Sequence, residues 1–260
     1  MSRRWVTLAL VAATTIAPLA TADAPTSAHR WARNDPARPQ PPVLIPKSAV
    51  LGLRPPADAT VLFDGRGLDA WAVPPASGWN VKAGILYPGG IKDNHLVTRA
   101  TFGSLQLHLE FRTPFPPVGE GQHRGNSGVF LMGVYEIQIV DSVDNPTYAD
   151  GLPGAVYGQT PPRVVAARPP GEWQSLDIYF EPPQFAGDAI VAPPYVTVIL
   201  NGILVQDHQP IFGDTKFDPP RYLTRASEGP IGLQDHGAPT DLVGFRNIWV
   251  RSLGAVADEP

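Results

Sequence analysis

Tyr135, Glu136, Ile137, Gln138, Ile139, Val140 and Asp141 form a stretch in which apolar and polar side chains alternate. Period-two alternation predicts a β-strand, with Tyr135, Ile137 and Ile139 entering a core and Glu136 and Gln138 adjacent on the other face. A carboxylate beside an amide on a sheet face suits ligands rich in hydroxyl groups. The pattern recurs upstream, where Gln106, His108, Glu110 and Arg112 alternate with Leu105, Leu107, Leu109 and Phe111. The plainer alternative is that each strand has a wet face, as most antiparallel sheets do.

Working outward, short alternating segments separated by Gly, Pro, Asn and Asp continue from Ala59 to Leu253, with no long run of helical periodicity. Strands are expected near Thr60 to Phe63, Trp79 to Lys82, Ile85 to Tyr87, Leu96 to Thr98, Ser104 to Thr113 and Ser127 to Met132. Further strands are expected at Gln174 to Glu181, Ile231 to Gln234 and Phe245 to Arg251. Val196 to Leu200, Asn201-Gly202 and Ile203 to Val205 read as a hairpin whose Asn-Gly pair supplies positive φ angles. About a dozen strands in one span imply an all-β fold, a two-sheet antiparallel sandwich of the jelly-roll kind. The proline-rich stretches Thr160 to Pro170 and Pro182 to Pro194 read as surface loops.

The chain has 260 residues, 43% hydrophobic and 17% charged, enough to bury a core. Arg3 and Arg4, an apolar run from Val6 to Leu19 and small residues at Ala20, Ala22 and Ala24 have the form of a cleavable signal over residues 1–24. This predicts a secreted or periplasmic protein, and the paired arginines also fit twin-arginine export. Residues 25–57, rich in proline, read as an extended linker, 58–254 as the β domain and 255–260 as a tail. With no cysteine there is no disulfide framework, thiolate metal site or cysteine nucleophile. The net charge of −4 and the lack of a basic run argue against a nucleic-acid partner. Beyond the signal there is no apolar stretch of the roughly 20 residues a transmembrane helix needs.

Three further segments offer chemistry. Gly229 to Gly237 places Gln234 and His236 on one side of a strand end, and a histidine near its ordinary pKa of about 6.5 serves as acid or base at neutral pH. Arg124-Gly125-Asn126-Ser127-Gly128 permits close backbone approach beside an amide. Asp141, Ser142, Tyr157 and Gly158 flank a polar loop able to cover a site. The bland readings are a turn-capping histidine, a plain turn and a solvent loop. The histidines show no zinc-protease spacing, and no P-loop, dinucleotide fingerprint or nucleophile elbow is present. A divalent ion held by residues from separate strands, such as Glu136, Asp141 or His236, stays open as a cofactor, because such a site leaves no local spacing.

Read in order, LFDGRGLDAW (62–71), LEFRTP (109–114), GNSGVFL (125–131), YEIQIVDS (135–142), YG (157–158), PPGEWQSLDIYF (169–180), VTVILNGILVQDH (196–208), GPIGLQDHG (229–237) and FRNIWVR (245–251) resemble the bacterial 3-keto-disaccharide hydrolase family. The resemblance implies a concanavalin-like jelly roll, export, and cleavage of glycosides oxidised at C3. A ketone at C3 acidifies the C2 proton, so a base removes it, the enolate expels the C1 substituent, and water adds across the resulting enone. Such a route needs a base near C2, stabilisation of the enolate oxygen and a proton for the leaving oxygen.

On that resemblance Glu136 and His236 are the expected base and acid, in either order. Gln138, Asn126 and Gln234 are expected to bind sugar hydroxyls or the enolate oxygen, with Glu110, Arg124 and Asp141 on the same concave face. Tyr157 is expected to stack on a sugar ring or donate a proton. The chain departs from the family where Asn-Ala commonly precedes the Pro-Pro-Gly-Glu-Trp string, here Val165 and Ala166, and where Arg commonly precedes Leu-Gln-Asp-His-Gly, here Gly232. The loop after His236, with Thr240, Asp241, Leu242, Val243 and Gly244, is also longer. Two other readings compete: a non-catalytic carbohydrate-binding module on the same face, and a conventional glycosidase with two carboxylates about 5 to 9 Å apart.

Overall fold

The computed structural model describes residues 31–223, 225–238, 240 and 242–254. The signal-like segment 1–24, residues 25–30, Thr224, Pro239, Asp241 and the tail 255–260 lie outside the described residues. The strands are β1 (Thr60–Phe63), β2 (Trp71–Ala72), β3 (Asn80–Lys82), β4 (Ile85–Tyr87), β5 (Leu96–Thr98), β6 (Leu105–Arg112), β7 (Ser127–Leu131) and β8 (Tyr135–Ile139). They continue as β9 (Gln174–Glu181), β10 (Gln184–Ala186), β11 (Ala189–Ala192), β12 (Tyr195–Leu200), β13 (Ile203–Pro210), β14 (Gly232–Leu233) and β15 (Gly244–Ser252). Among the described residues the helical elements are two 3₁₀ turns, Gly121–His123 and Ala149–Gly151.

The fold is the all-β antiparallel sandwich of jelly-roll type that the alternation predicts. One sheet runs β13-β12-β9-β6-β15-β4-β3, with β1 also pairing β15, and the other runs β2-β5-β14-β7-β8. Leu105, Leu107, Leu109 and Phe111 of β6 and Tyr135, Ile137 and Ile139 of β8 enter one buried cluster between the sheets. Tyr135 meets Phe180 of β9 across that core, with ring centroids 5.9 Å apart. Each such side chain contributes roughly 1.5 to 3 kcal/mol by leaving water. The Asn201-Gly202 turn forms as predicted, with φ of 53° and 79° closing the β12–β13 hairpin. Asn201 is also buried, because its side chain accepts from the Ser175 N–H and donates to the Ala166 carbonyl.

Two segments differ from expectation. Within Pro182 to Pro194, expected as a loop, β10 and β11 pair as a small hairpin. The prolines sit at 182, 183, 193 and 194, outside the paired residues, so they bracket the hairpin without removing its donors. β2, carrying the buried Trp71, is not anticipated, since two residues are too short for periodicity to register.

Residues 31–57 lie against the β domain. Val43 forms a parallel bridge with Val165, the Gly52 N–H donates to Glu110, and the Leu53 carbonyl accepts from Asn247 and Trp249. Among the described residues no helix is long and apolar enough to cross a membrane.

Candidate active site

β8 ends the five-stranded sheet, and its free edge is closed by residues 154–157 running alongside. The Gln138 N–H donates to the Ala155 carbonyl at 3.0 Å, Gly154 donates back to the Gln138 carbonyl at 2.9 Å, and Tyr157 donates to the Glu136 carbonyl at 3.1 Å. The Glu136 N–H is taken by the Thr215 hydroxyl at 3.1 Å. The backbone demand of an edge strand therefore brings Tyr157 and Thr215 beside Glu136. On the other side β7 places Gly128 opposite Gln138 and Phe130 opposite Glu136, with β14 next in order. A methyl group at Gly128 would collide with the Glu136 carboxyl, so glycine leaves the space in which that carboxyl lies.

The face expected to be wet is covered. Glu136 is 6% exposed and Gln138 1% exposed. Burial pushes the Glu136 carboxyl up to about 8, although the Arg33 charge and a hydrogen bond from the Gln234 side chain pull the other way. At neutral pH it is therefore a protonated carboxylic acid. His236 moves in the opposite sense. Burial takes it below 6.5, His123 and Lys92 add to the effect, and Asp93 and Asp235 oppose it, leaving a neutral imidazole. One group thus holds a proton and the other a lone pair at the same pH, which is the division an acid–base pair requires.

His236 lines a cleft of about 1160 Å³ together with Gln122, His123, Arg124, Tyr148 and Tyr157. The His123 and His236 rings are 6.2 Å apart, and the Tyr148 and Tyr157 hydroxyls are 2.9 Å apart. Gln122 ties this wall to the sheet. Its side-chain oxygen accepts from Gln138 at 2.7 Å and Asn126 at 3.2 Å, and its amide donates to Thr147 and Gly151. The side-chain oxygens of Gln138 and Gln234 are buried without a protein partner. Buried acceptors are ordinarily satisfied, so these two are suited to a ligand's hydroxyl donors.

Glu136, Gln138, Gln234, Asn126, Tyr157 and His236 are thus assembled on or around one face. Three expected residues stand differently. Glu110 lies on the outer face of the eight-stranded sheet, across the core from Glu136. Burial raises its pKa, but hydrogen bonds from His108, Gly52, Asn247 and Arg246 outweigh that and hold it at about 2. The strands of Glu110 and Glu136 are not neighbours, so the two carboxylates do not form a glycosidase pair. Asp141 accepts from Arg124 Nε at 2.7 Å and from the Val143 N–H, so its carboxylate shapes the loop instead of facing a ligand. Arg124 also donates to the Val143 carbonyl at 2.8 Å and presents its remaining surface to the cleft.

Among the described residues no three of His, Asp or Glu converge in a way that would hold a metal ion. Sequence reasoning missed Gln122, His123, Tyr148, Thr215 and Arg33. Gly119 and Gly121 around the Gln122 turn are the signal that was available for the first two.

Residues 58–251 match the family model of the 3-keto-alpha-glucoside-1,2-lyase-like domain. A solved structure of a candidate glycosyl hydrolase from Parabacteroides distasonis is 41% identical, covering 83% of this chain and 93% of that one, with a TM-score of 0.73. A second candidate glycosyl hydrolase from the same organism, at 20% identity, covers 76% of this chain and 94% of that one with a TM-score of 0.54, and shares the fold. No curated protein sequence matches the chain. Over residues 58–251 the chain belongs to the 3-keto-alpha-glucoside-1,2-lyase-like domain family.

Proposed function

We propose that this carbohydrate-active protein is an exported enzyme that cleaves 3-keto-glycosides by elimination and hydration. The observation that carries the reading is the opposed protonation of Glu136, on the covered face of β8, and of His236, in the adjoining cleft that Tyr157 also lines. Neutral His236, at the cleft, removes the C2 proton, and the C2–H electron pair forms the enolate of the C3 ketone. The C1–O bond then breaks, and the leaving oxygen takes its proton from Glu136. Water adds across the resulting double bond, its hydroxyl to C1 and its proton to C2. The unpartnered oxygens of Gln138 and Gln234 accept from sugar hydroxyls, and Tyr157 walls the sugar. The same acceptors serve a binding module equally well, but binding alone gives no reason for an acid and a base with opposed pKa shifts.

The route leaves an isotopic signature. Cleavage of a 3-keto-glucoside in D₂O should give a sugar with solvent deuterium at C2, incorporated faster than the free keto-sugar exchanges unaided. Product with protium retained at C2 would exclude elimination and point to direct hydrolysis.

Gly128→Ala supplies a second test. The added methyl displaces the Glu136 carboxyl. We expect a loss of about 1 to 3 kcal/mol in stability from overpacking and a fall of roughly tenfold to a hundredfold in kcat, as for a misplaced catalytic group. A folded Gly128→Ala protein with wild-type kcat would show that the carboxyl's position is immaterial.

A further inference from the structure

The proline-rich stretch ahead of residue 58 lies outside the family match, and its composition reads as a spacer. The contacts of its residues 33–40 fall on the loops that wall the cleft. Arg38 donates to the Gln159 carbonyl at 3.0 Å and approaches Asp150 at 3.6 Å, and the Asn34 N–H donates to the same carboxylate at 3.0 Å. Gln40 donates to the Thr147 carbonyl. These three partners, Thr147, Asp150 and Gln159, lie in the segment that also supplies Tyr148 and Tyr157.

Arg33 goes further into the site. Its guanidinium lies over the Tyr157 ring, 5.0 Å from the centroid, and Nη1 donates to the carbonyls of Thr215 at 2.6 Å and Phe217 at 3.2 Å. Tyr157 and Thr215 are the two residues that hold the backbone of Glu136. A methyl group at Gly158, whose φ is +67°, would meet the guanidinium at 2.8 Å, so a larger residue there would strain the backbone and push Arg33 aside. The guanidinium therefore sits against both neighbours of Glu136, in a region where the carboxyl is desolvated and a nearby charge is weakly screened.

We propose that Arg33 is a positioning residue of the Glu136 site: it braces the Tyr157 ring and sets a positive charge beside the carboxyl, so residues 33–40 of the proline-rich segment form a wall of the site. The proposal rests on Glu136 acting as the acid. Once Glu136 has given up its proton, a carboxylate is left in a buried place, and the Arg33 charge offsets part of that cost. Burial, the Arg33 charge and the Gln234 hydrogen bond set its ionisation. The other elements packed around it present Gly128 and Phe130 from β7, Thr215, and Tyr157.

The test uses the full chain with ¹³C-carboxyl-labelled glutamate, followed by NMR titration, with the Glu136 signal assigned by its loss in Glu136→Gln. In Arg33→Ala the Glu136 midpoint should move upward, while Arg33→Lys, which keeps the charge, should stay near wild type. On a 3-keto-glucoside, kcat should fall about tenfold or more in Arg33→Ala, with KM changed less, and Arg33→Lys should recover much of it. If Arg33→Ala does not fold, Arg33→Gln compared with Arg33→Lys makes the same contrast. An unmoved midpoint in a folded, charge-removed variant overturns the proposal, as does an equal kcat loss in the Lys and Ala variants. A midpoint that follows the charge at position 33, in a protein that cleaves no keto-glycoside, would uphold the charge placement and defeat the functional reading instead.

Discussion

Glu136→Gln should lower cleavage by about 10²- to 10⁴-fold and at the same time stabilise the protein at alkaline pH. In the proposed role of acid to the leaving oxygen, Glu136 would contribute a step worth typically about 10²- to 10⁴-fold, and an amide of the same shape cannot supply the proton. The stability effect follows from the raised pKa of about 8 against an ordinary 4.5. Above pH 4.5 the unfolded chain ionises this carboxyl while the folded protein retains the proton. Stability is therefore lost as pH rises from 4.5 and levels off above about 8. Across that window the cost is roughly 4 to 5 kcal/mol. Glutamine is free of it, so the stability difference between Glu136→Gln and wild type should widen by about that amount between pH 4.5 and 8. Urea unfolding at a series of pH values measures it. A difference that stays constant across this range would mean that Glu136 is ionised in the folded protein, and the acid role would fall with it.

Substitution of His236 has the second large effect. Removing the base should lower kcat/KM by about 10²- to 10⁴-fold in His236→Ala. The wild-type profile identifies which group plays which part. The active form needs a neutral imidazole, so activity should be lost as pH falls through the lowered pKa of His236, somewhere below 6.5. It also needs a protonated carboxyl, so activity should be lost again as pH rises through about 8. The expected profile is a bell, and in His236→Ala the acid limb should vanish from the residual activity. Activity that instead climbs through pH 8 would assign the base to Glu136.

Much of this arrangement is legible in the sequence, and the parts that are not share a cause. Alternation along Tyr135 to Ile139 fixes which side chains face the core, because the strand period is two. It says nothing about what covers the other face. Here the cover comes from Gln122, Tyr157, Thr215 and Arg33, which are scattered over the chain and follow no period. The expected wet surface is consequently a buried one, and that burial is what separates the pKa values of Glu136 and His236.

Glu110 shows a second limit. β6 alternates as cleanly as β8, and both strands put their apolar residues into one core. A sandwich has two outer faces, and periodicity does not tell them apart. The sheet order does, by placing β6 in the eight-stranded sheet and β8 at the edge of the other. The proline-rich segment is misleading in a related way. Prolines cannot donate to a ladder, so the stretch reads as a spacer, yet Arg33, Asn34, Arg38 and Gln40 attach it through side-chain and isolated backbone contacts that leave no pattern.

The central claim is that this site cleaves a glycosidic bond only when the sugar carries a ketone at C3. The direct measurement is leaving-group release by the wild-type protein at neutral pH, from a 3-keto-glucoside and from the matching unoxidised glucoside, with Glu136→Gln in parallel. The account predicts release from the keto substrate, none from the unoxidised one, and release from the keto substrate lowered by about 10²-fold or more in Glu136→Gln. Release from the unoxidised glucoside at a comparable rate would contradict it, because without the ketone the C2 proton is not acidic enough for His236 to remove.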